Sequence, residues 1–329
     1  EDELAAIGMS IGAGWGGLRS MTSTSGPGLS LMTEFAGLAY YAEVPVVIWD
    51  IQRIGPSTGL PTRISQGDLT FTAHIGHGDS DSIILLPGGI NECFEFGWKA
   101  FDVAERMQTP VFVLSDLDMG MNQWMSKPFK YPETPMDRGK VLWEKDLEEL
   151  KSNWARYLDK DGDGITYRTI PGNQYPMGAY FTRGTGHDEN ARYSEEAHVW
   201  HNNMERLKKK HETAREYVPA PVLHETEGAT IGIIGYGSTE AAILEAMSQL
   251  EADHGIKADF LRIRALPFSK EVTEFVGKYD QVFVVEMNRD GQMNQILTIE
   301  YPQYAGKLKS VAYGDGMPAS AKWVREGIL

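Results

Sequence analysis

Two loops rich in Gly and hydroxyl side chains hold the residues best suited to bind a small anion. Residues 21–28 read MTSTSGPG and lead into a predicted helix, and residues 55–63 read GPSTGLPTR. Such loops bring backbone N–H groups and hydroxyls close to a bound anion or to a partner's backbone. Between them Arg53 closes a predicted strand, where α/β proteins bind ligands and a guanidinium can hold a carboxylate. These residues predict an anionic small-molecule site, within this chain or shared with a partner, but name no reaction.

A second candidate site is the acidic turn from Asp159 to Gly164. Asp at positions one, three and five and Gly at position six match the first half of a calcium-binding loop. Position twelve is Ile170 instead of a bidentate Glu, so further ligands would have to come from elsewhere. We predict a structural Ca²⁺ or Mg²⁺ ion bound by Asp159, Asp161 and Asp163, with an acidic surface turn as the alternative.

Two other patterns resemble phosphate-binding motifs but lack a required part. The GYG sequence at 235–237 follows a predicted strand, yet the third glycine of the dinucleotide fingerprint is absent, which favours a tight turn. The GDG sequence at 162–164 with Asn190 has the outline of the thiamine diphosphate metal motif, but no apolar strand precedes it. Any Mg²⁺ bound to a diphosphate is therefore expected on another chain.

Short apolar runs alternate with helical patterns, which predicts an α/β fold with parallel sheets. Buried strands are predicted at 44–51, 82–86 and 110–115, and again at 230–234, 258–262, 281–285 and 309–312. Helices are predicted at 9–18, 30–41 and 92–107. From about 120 to 218 aromatic, Pro and charged residues mix without strand periodicity. This part is interpreted as a loop-rich insertion that ends in a polar helix near 195–217, with a linker at 218–222.

Composition narrows the class of protein. The 329 residues suffice for two α/β domains, and the net charge of −15 argues against nucleic acid or an anionic membrane as the main partner. The single cysteine, Cys93, excludes an internal disulfide and a Cys-ligated iron–sulfur cluster held by this chain alone. A single cysteine fits a cytoplasmic protein, and the apolar runs are too short to span a bilayer.

Several long runs resemble one known family, the alpha subunits of 2-oxoacid:ferredoxin oxidoreductases, and within it the 2-oxoglutarate:ferredoxin oxidoreductase group. The runs are TSTSGPGLSLM at 22–32, DIQRIGPSTGLPTR at 50–63, QGD at 66–68, the loop at 159–168 and TRGTGHD at 182–188. The resemblance covers essentially the whole chain. It implies a pyrimidine-type domain of thiamine diphosphate enzymes at 1–224, including the insertion, and a smaller transketolase-C-terminal-like domain at 225–329.

The resemblance also implies an activity. The family oxidatively decarboxylates a 2-oxoacid with coenzyme A, giving an acyl-CoA and CO₂ and passing electrons to ferredoxin; some members run in reverse and fix CO₂. For this chain the implied substrate is 2-oxoglutarate and the product succinyl-CoA. The implied partner is a beta subunit that binds thiamine diphosphate, Mg²⁺ and a [4Fe–4S] cluster, and a gamma subunit or domain completes some complexes.

Site residues follow from the same resemblance. Glu3 matches the glutamate that contacts N1′ of the thiamine aminopyrimidine, and Arg53 matches the arginine that binds the substrate carboxylate. Thr24 and Arg63 are further candidates for substrate binding. The family's upstream YPITP motif does not occur before Glu3, and the chain begins EDELAAIGMS without an initiator Met. We therefore expect an N-terminal part of the subunit to be missing from this chain.

Two alternatives stay open at this point. One is a pyruvate or branched-chain 2-oxoacid:ferredoxin oxidoreductase subunit, which would carry the same motifs. The other is a non-catalytic interaction subunit stabilised by calcium, which would need only the loop at Asp159–Gly164.

Overall fold

A computed structural model describes residues 2–151 and 153–329, which form two α/β units, each built on a mainly parallel sheet. The strands are β1 (Met21–Thr24), β2 (Val46–Ile54), β3 (Leu60–Ile64), β4 (Ile83–Leu85), β5 (Pro110–Asp116), β6 (Val222–His224), β7 (Ile231–Tyr236), β8 (Ala258–Ile263), β9 (Ala265–Leu266), β10 (Val282–Glu286) and β11 (Leu308–Ala312). The helices are α1 (Glu3–Trp15), α2 (Gly26–Leu31), α3 (Thr33–Ala42), α4 (Leu69–Ala73), α5 (Ile90–Met107), α6 (Leu117–Met121), α7 (Glu144–Leu150), α8 (Ala197–Ala214), α9 (Glu240–His254), α10 (Lys270–Lys278), α11 (Gln292–Glu300) and α12 (Ala321–Ile328).

The first sheet has the strand order β1-β2-β5-β4-β9, and β3 pairs antiparallel with the end of β2. Strands β1, β2, β5 and β4 are parallel, with β2 and β5 in register from Val46↔Pro110 to Gln52↔Asp116. Residues of β2 alternate between two apolar cores, one shared with α1–α3 and the other with α5. Cover on both faces explains the apolar runs of β2 and β5, and the predicted α/β class is confirmed.

The second sheet has the order β11-β10-β7-β8-β6 and is parallel except for β6. It contains the four predicted strands, as β7, β8, β10 and β11. The fifth strand, β6, was not predicted. It begins at Val222, the last residue of the segment interpreted as a linker, and pairs antiparallel with β8 through Val222↔Arg262. The second sheet therefore begins at Val222, and the predicted boundary at 224/225 falls at the end of a strand.

The two units meet along the carboxyl ends of their strands. Strand β9 of the second unit extends the first sheet by pairing antiparallel with β4, and one apolar core contains residues of both units. At the same junction Gln66 donates through Nε2 to the carbonyl of Tyr236 (2.9 Å) and accepts the N–H of Met287 (2.9 Å). Asn288 Nδ2 donates to the carbonyl of Gln66 (3.0 Å). The segment that follows β3 is thus held by the second unit.

Between α6 and α8 the chain has little regular structure apart from the short helix α7. Helix α8 fastens this part to the first unit through a buried ion cluster. The Glu43 carboxylate accepts from Arg206 (2.6 and 3.1 Å) and from Lys210 (2.8 Å), and all three side chains are nearly inaccessible to solvent. A helix with the length and hydropathy to span a bilayer is absent from the part of the chain that the structure describes.

Candidate functional site

The loop that follows β1 brings together three of the residues singled out in the sequence. Thr24 ends β1, and α2 begins two residues later at Gly26. A Cβ atom at Gly28 would lie 2.0 Å from Thr24 Oγ1 and 3.1 Å from Glu3 Oε1, so both side chains rest against the backbone of this glycine. Glu3, in the first turn of α1, and Thr24 are both half-buried. Only a residue without a side chain permits this approach.

Arg53 joins this group from the neighbouring strand. It lies near the end of β2, where the register against β3 shifts between Arg53 and Ile54. Its Nε donates to Ser25 Oγ (3.1 Å), the hydroxyl next to Thr24 in the chain. Among residues 2–151 and 153–329 no carboxylate oxygen lies within 4.0 Å of the guanidinium. The half-buried positive charge of Arg53 therefore lacks a direct ion-pair partner in the described chain.

Arg63 is placed differently from the other candidates. It lies on β3, next to the residue that pairs with Arg53, and is exposed. A Cβ atom at Gly316 would lie 2.8 Å from Arg63 Cβ and 2.9 Å from Ile54 Cδ1, so the backbone of Gly316 packs between these two side chains. Arg63 thus contacts the second unit, whereas Arg53 is hydrogen-bonded to the loop after β1.

Two acidic side chains beneath Arg53 were not assigned a role from the sequence. Asp50 is fully buried in β2, and neither of its carboxyl oxygens has a hydrogen-bond partner. Asp68 lies before α4 with its carboxyl group within hydrogen-bonding reach of Asp50. Burial, together with the charge of Asp68, raises the pKa of Asp50 well above its usual range. Burial likewise raises the pKa of Asp68 to about 6, although Asp50 and Arg53 lower it in part.

A third buried carboxyl group lies at the end of β5. Asp116 accepts the N–H groups of Asp118 (3.0 Å) and Met119 (3.2 Å) at the start of α6. Its other oxygen accepts from Ser238 Oγ of the second unit (2.6 Å). Burial raises the pKa of Asp116 to about 6 against the effect of these hydrogen bonds. The GYG turn beside it is a tight strand-to-helix connection, since a Cβ at Gly235 would lie 2.4 Å from Ile243 Cδ1.

The acidic turn at Asp159–Gly164 differs from the predicted metal site. Asp159 accepts the N–H groups of Gly162 (2.8 Å) and Gly164 (3.0 Å). The ammonium group of Lys140 donates to Asp161 (2.7 Å) and Asp163 (2.9 Å), and so occupies the position expected for a cation. No group of three or more His, Cys, Asp or Glu side chains suited to hold a metal occurs in the described ranges. In this structure the turn is an ion pair with Lys140, and the metal site at Asp159, Asp161 and Asp163 stays a prediction.

Comparisons with known proteins place the chain in a family. Residues 1–140 match the family described as "Pyruvate flavodoxin/ferredoxin oxidoreductase, thiamine diP-bdg". The chain is 34% identical over 297–299 residues to two archaeal subunits named 2-oxoglutarate synthase subunit KorA; for that of Methanothermobacter thermautotrophicus the match covers 89% of this chain and 75% of the relative. It is 36% identical to the alpha subunit of 2-oxoacid:ferredoxin oxidoreductase 2 from Aeropyrum pernix, over 90% of this chain and 46% of the relative.

A solved structure matches the whole chain. It is described as 2-oxoglutarate:ferredoxin oxidoreductase from Magnetococcus marinus with 2-oxoglutarate, coenzyme A and succinyl-CoA bound. The TM-score is 0.88 at 29% identity, and the match covers 100% of this chain and 56% of that one. The chain thus spans about half the length of several relatives it matches. From these matches, the protein belongs to the family of 2-oxoacid:ferredoxin oxidoreductase alpha subunits.

Proposed function

We propose that this chain provides the 2-oxoacid-binding part of an enzyme that oxidatively decarboxylates 2-oxoglutarate with coenzyme A. The products are succinyl-CoA, CO₂ and two electrons passed to ferredoxin. The observation that carries the proposal is Arg53, a half-buried guanidinium held by Ser25 with no carboxylate of the described chain within 4.0 Å. A substrate carboxylate would satisfy this charge, and the fork of the guanidinium would fix the plane of that carboxylate.

The residues beside Arg53 fit one end of thiamine diphosphate. Gly28 offers bare backbone between Glu3 and Thr24, which leaves a flat surface that a Cβ atom would fill. Glu3 would hold the aminopyrimidine ring through its carboxylate and move a proton at N1′, a role that suits general acid–base catalysis. When bound, the cofactor supplies the nucleophilic carbon that attacks the 2-oxo group.

The rest of the catalytic machinery is assigned to a partner. Cys93 is the only cysteine and is half-buried, and burial raises the pKa of its thiol to about 12. One such thiol cannot hold a [4Fe–4S] cluster, so the cluster is assigned to a beta subunit. The diphosphate and its Mg²⁺ are assigned to the same subunit because the resemblance to the family implies it. The relatives' names, which include "subunit alpha" and "ferredoxin", support a partner subunit and ferredoxin as the electron acceptor. The resemblance to the family is the ground for proposing a gamma subunit or domain as a further component.

The choice of 2-oxoglutarate rests on the names of relatives and on the ligands of the matching structure. Two KorA subunits are named 2-oxoglutarate synthase, and the matching structure holds 2-oxoglutarate and succinyl-CoA. Other relatives are named only for 2-oxoacids. Pyruvate or a branched-chain 2-oxoacid is therefore the second candidate substrate, and the two Gly-rich loops would serve either equally.

A substrate panel tests the proposal. The complex that contains this subunit is purified without oxygen, and CoA-dependent reduction of a viologen dye is measured with 2-oxoglutarate, pyruvate and a branched-chain 2-oxoacid. We expect the highest kcat/KM with 2-oxoglutarate. A higher value with pyruvate would replace the substrate but keep the reaction class. No CoA-dependent reduction with any 2-oxoacid would overturn the proposed function.

A further inference from the structure

The carboxyl groups of Asp50 and Asp68 form a pair to which the proposed reaction assigns no role. On β2 the side chains of Val46, Ile48 and Asp50 point to the same face, because successive residues of a strand alternate. Val46 and Ile48 belong to the apolar core on that face, together with Leu69 of α4. Asp50 therefore places a carboxyl group at the end of an apolar row, where a lone ionised carboxylate would be unfavourable.

Asp68 is fixed against Asp50 by its backbone and by a glycine. Its N–H donates to Gln52 Oε1 (3.2 Å), and Gln52 Nε2 donates to the carbonyl of Ser115 (3.3 Å). A Cβ atom at Gly26 would lie 2.6 Å from Asp68 Oδ1 and 2.8 Å from Oδ2. The carboxyl group thus lies flat against the loop that carries Ser25, the hydroxyl that holds Arg53.

The two carboxyl groups lack other partners. Both oxygens of Asp50 and Oδ2 of Asp68 are shut off from solvent and accept no hydrogen bond from the described chain. Two carboxylates within hydrogen-bonding reach of each other cannot both be ionised without strong repulsion, whereas one shared proton gives each group a hydrogen bond. Burial and the lack of other partners therefore favour a proton between Asp50 and Asp68.

We propose that Asp50 and Asp68 share one proton and so set the charge of the substrate pocket, which makes them positioning residues for Arg53. With one proton the pair carries a single negative charge, which balances the positive charge of Arg53. A second ionisation would make the group of three side chains negative and would repel the carboxylate of an incoming 2-oxoacid. The proposal deepens the proposed function and rests on it, since it assigns the approaching anion to Arg53.

The other charged and titratable groups around the pair do not change the balance between the negative charge of the pair and the positive charge of Arg53. Tyr236 of the second unit faces Asp68, and burial raises the pKa of its phenol well above the usual range, so it is neutral. Asp116 on β5 is occupied by Ser238 and by the start of α6. Glu3 lies beside Thr24 against the backbone of Gly28. Burial raises the pKa of Asp116 to about 6 as well, but the charge that acts on Asp116 is that of Asp118, whereas Arg53 acts on Asp68. The titrating charge coupled to Arg53 is therefore that of Asp68.

The sign of the pH effect follows from these positions. Burial raises the pKa of Asp68 to about 6, so the pair takes up a second proton as the pH falls through that value. Arg53 is then no longer balanced, and a carboxylate substrate should bind more tightly. At an effective dielectric constant of about 20, a unit charge several ångströms from the substrate carboxylate changes binding roughly tenfold. We expect KM for the 2-oxoacid to fall by about that factor, while kcat follows a different profile.

Two variants separate the roles of the pair. D50N replaces the protonated carboxyl group by an amide that still donates to Asp68, so the fall of KM near pH 6 should remain. D68N removes the group that titrates, so KM should no longer change through pH 6. D79N, an exposed Asp in the loop before β4, is the matched control and should follow the wild type. A D68N profile identical to that of the wild type would overturn the proposal.

A measurement that does not depend on catalysis distinguishes the proposal of a shared proton from the proposed function. Infrared spectra of the purified complex at pH 7 should show the carbonyl band of a protonated carboxylic acid, which D50N removes and D68N keeps. If D50N does not fold, the band should grow more in the wild type than in D68N as the pH falls through 6, because Asp116, whose pKa is also about 6, contributes equally to both proteins. Absence of the band at pH 7 would refute the shared proton even in an active enzyme. The band together with a pyruvate-specific enzyme would support the pair and contradict only the proposed substrate.

Discussion

Replacing Glu43 by Gln should strongly destabilise the protein. The Glu43 side chain is completely buried and accepts three contacts from Arg206 and Lys210, at 2.6, 3.1 and 2.8 Å. Burial alone would raise the pKa of Glu43, but the charges of Arg206 and Lys210 outweigh it and hold the pKa far below the usual range. The amide would leave both cations buried without a counter-charge.

The size of the effect follows from the burial of the cluster. Removing one partner of a buried, hydrogen-bonded ion pair costs about 3–5 kcal/mol, because the remaining charge stays buried and unpaired. Here the helix α8 carries both cations, so the loss should loosen its attachment to the turn after α3. We expect E43Q to lower the free energy of unfolding by about 3–5 kcal/mol at pH 7, measured by urea denaturation of the purified protein.

The matched control is Glu212→Gln on the same helix. Glu212 pairs with Arg215 at 2.7 Å, but its side chain is 55% exposed, and an exposed pair of this kind contributes about 0–1 kcal/mol. An E43Q loss no larger than that of E212Q would contradict the interpretation of the cluster as a stabilising unit.

The pH dependence gives an independent check. Because the pKa of Glu43 is lower in the folded state than in the unfolded state, its contribution is complete above the unfolded value of about 4.3 and is lost as the pH falls below it. Below about pH 4 the wild type should therefore lose about 1.4 kcal/mol per pH unit more than E43Q. Equal slopes for the two proteins would refute the lowered pKa.

The remaining predictions concern the site and the acidic turn. Glu3→Gln in the complete complex should keep thiamine diphosphate bound but lower kcat roughly 10²–10⁴-fold, and a near-normal kcat would remove Glu3 from the proton transfer. Arg53→Ala should lower kcat/KM for every 2-oxoacid, by a factor that corresponds to about 2–5 kcal/mol of transition-state stabilisation. Arg53→Lys should lower it by less, and both variants should bind coenzyme A with unchanged affinity. Lys140→Met should lower the unfolding free energy by about 1 kcal/mol, because the ion pair is partly exposed. A chelator should leave the wild-type melting temperature unchanged if Lys140 replaces the cation. A fall of the melting temperature with chelator would instead support the predicted metal ion at Asp161 and Asp163.

The parts of the fold that the sequence predicts are those whose burial leaves a pattern. Strands such as β2 and β5 are covered on both faces and read as apolar runs, so their existence follows from the residue types. Strands β1 and β3 have no apolar run and were not predicted. Strand β1 is short with alternate residues exposed, and β3 has four exposed residues before Ile64. Their pairing with β2 depends on tertiary position, which local patterns do not encode.

The residues of the site also differ in how far the sequence alone could identify them. Arg53 could be selected from the residues because a guanidinium at a strand end has an obvious use, and Glu3 and Thr24 came only from the resemblance to a family. Asp50 could have been found by alternation, since it follows Val46 and Ile48 on an inward-facing row. The ion pair with Lys140 could not be predicted from the loop pattern at 159–164, because Lys140 lies 21 residues before Asp161 in the sequence.

The second unit takes a direct part in shaping the site of the first. Gln66 exchanges hydrogen bonds with Tyr236, Met287 and Asn288, all at the carboxyl ends of β7 and β10. Asp68 follows two residues later, so docking of the second unit fixes the segment that carries this carboxyl group against Asp50. The charge beside Arg53 is consequently assembled by both units. The polar side chains of Gln66, Asp68 and Asn288 lie at an otherwise apolar interface between the units. Their presence is explained by their role in positioning the site.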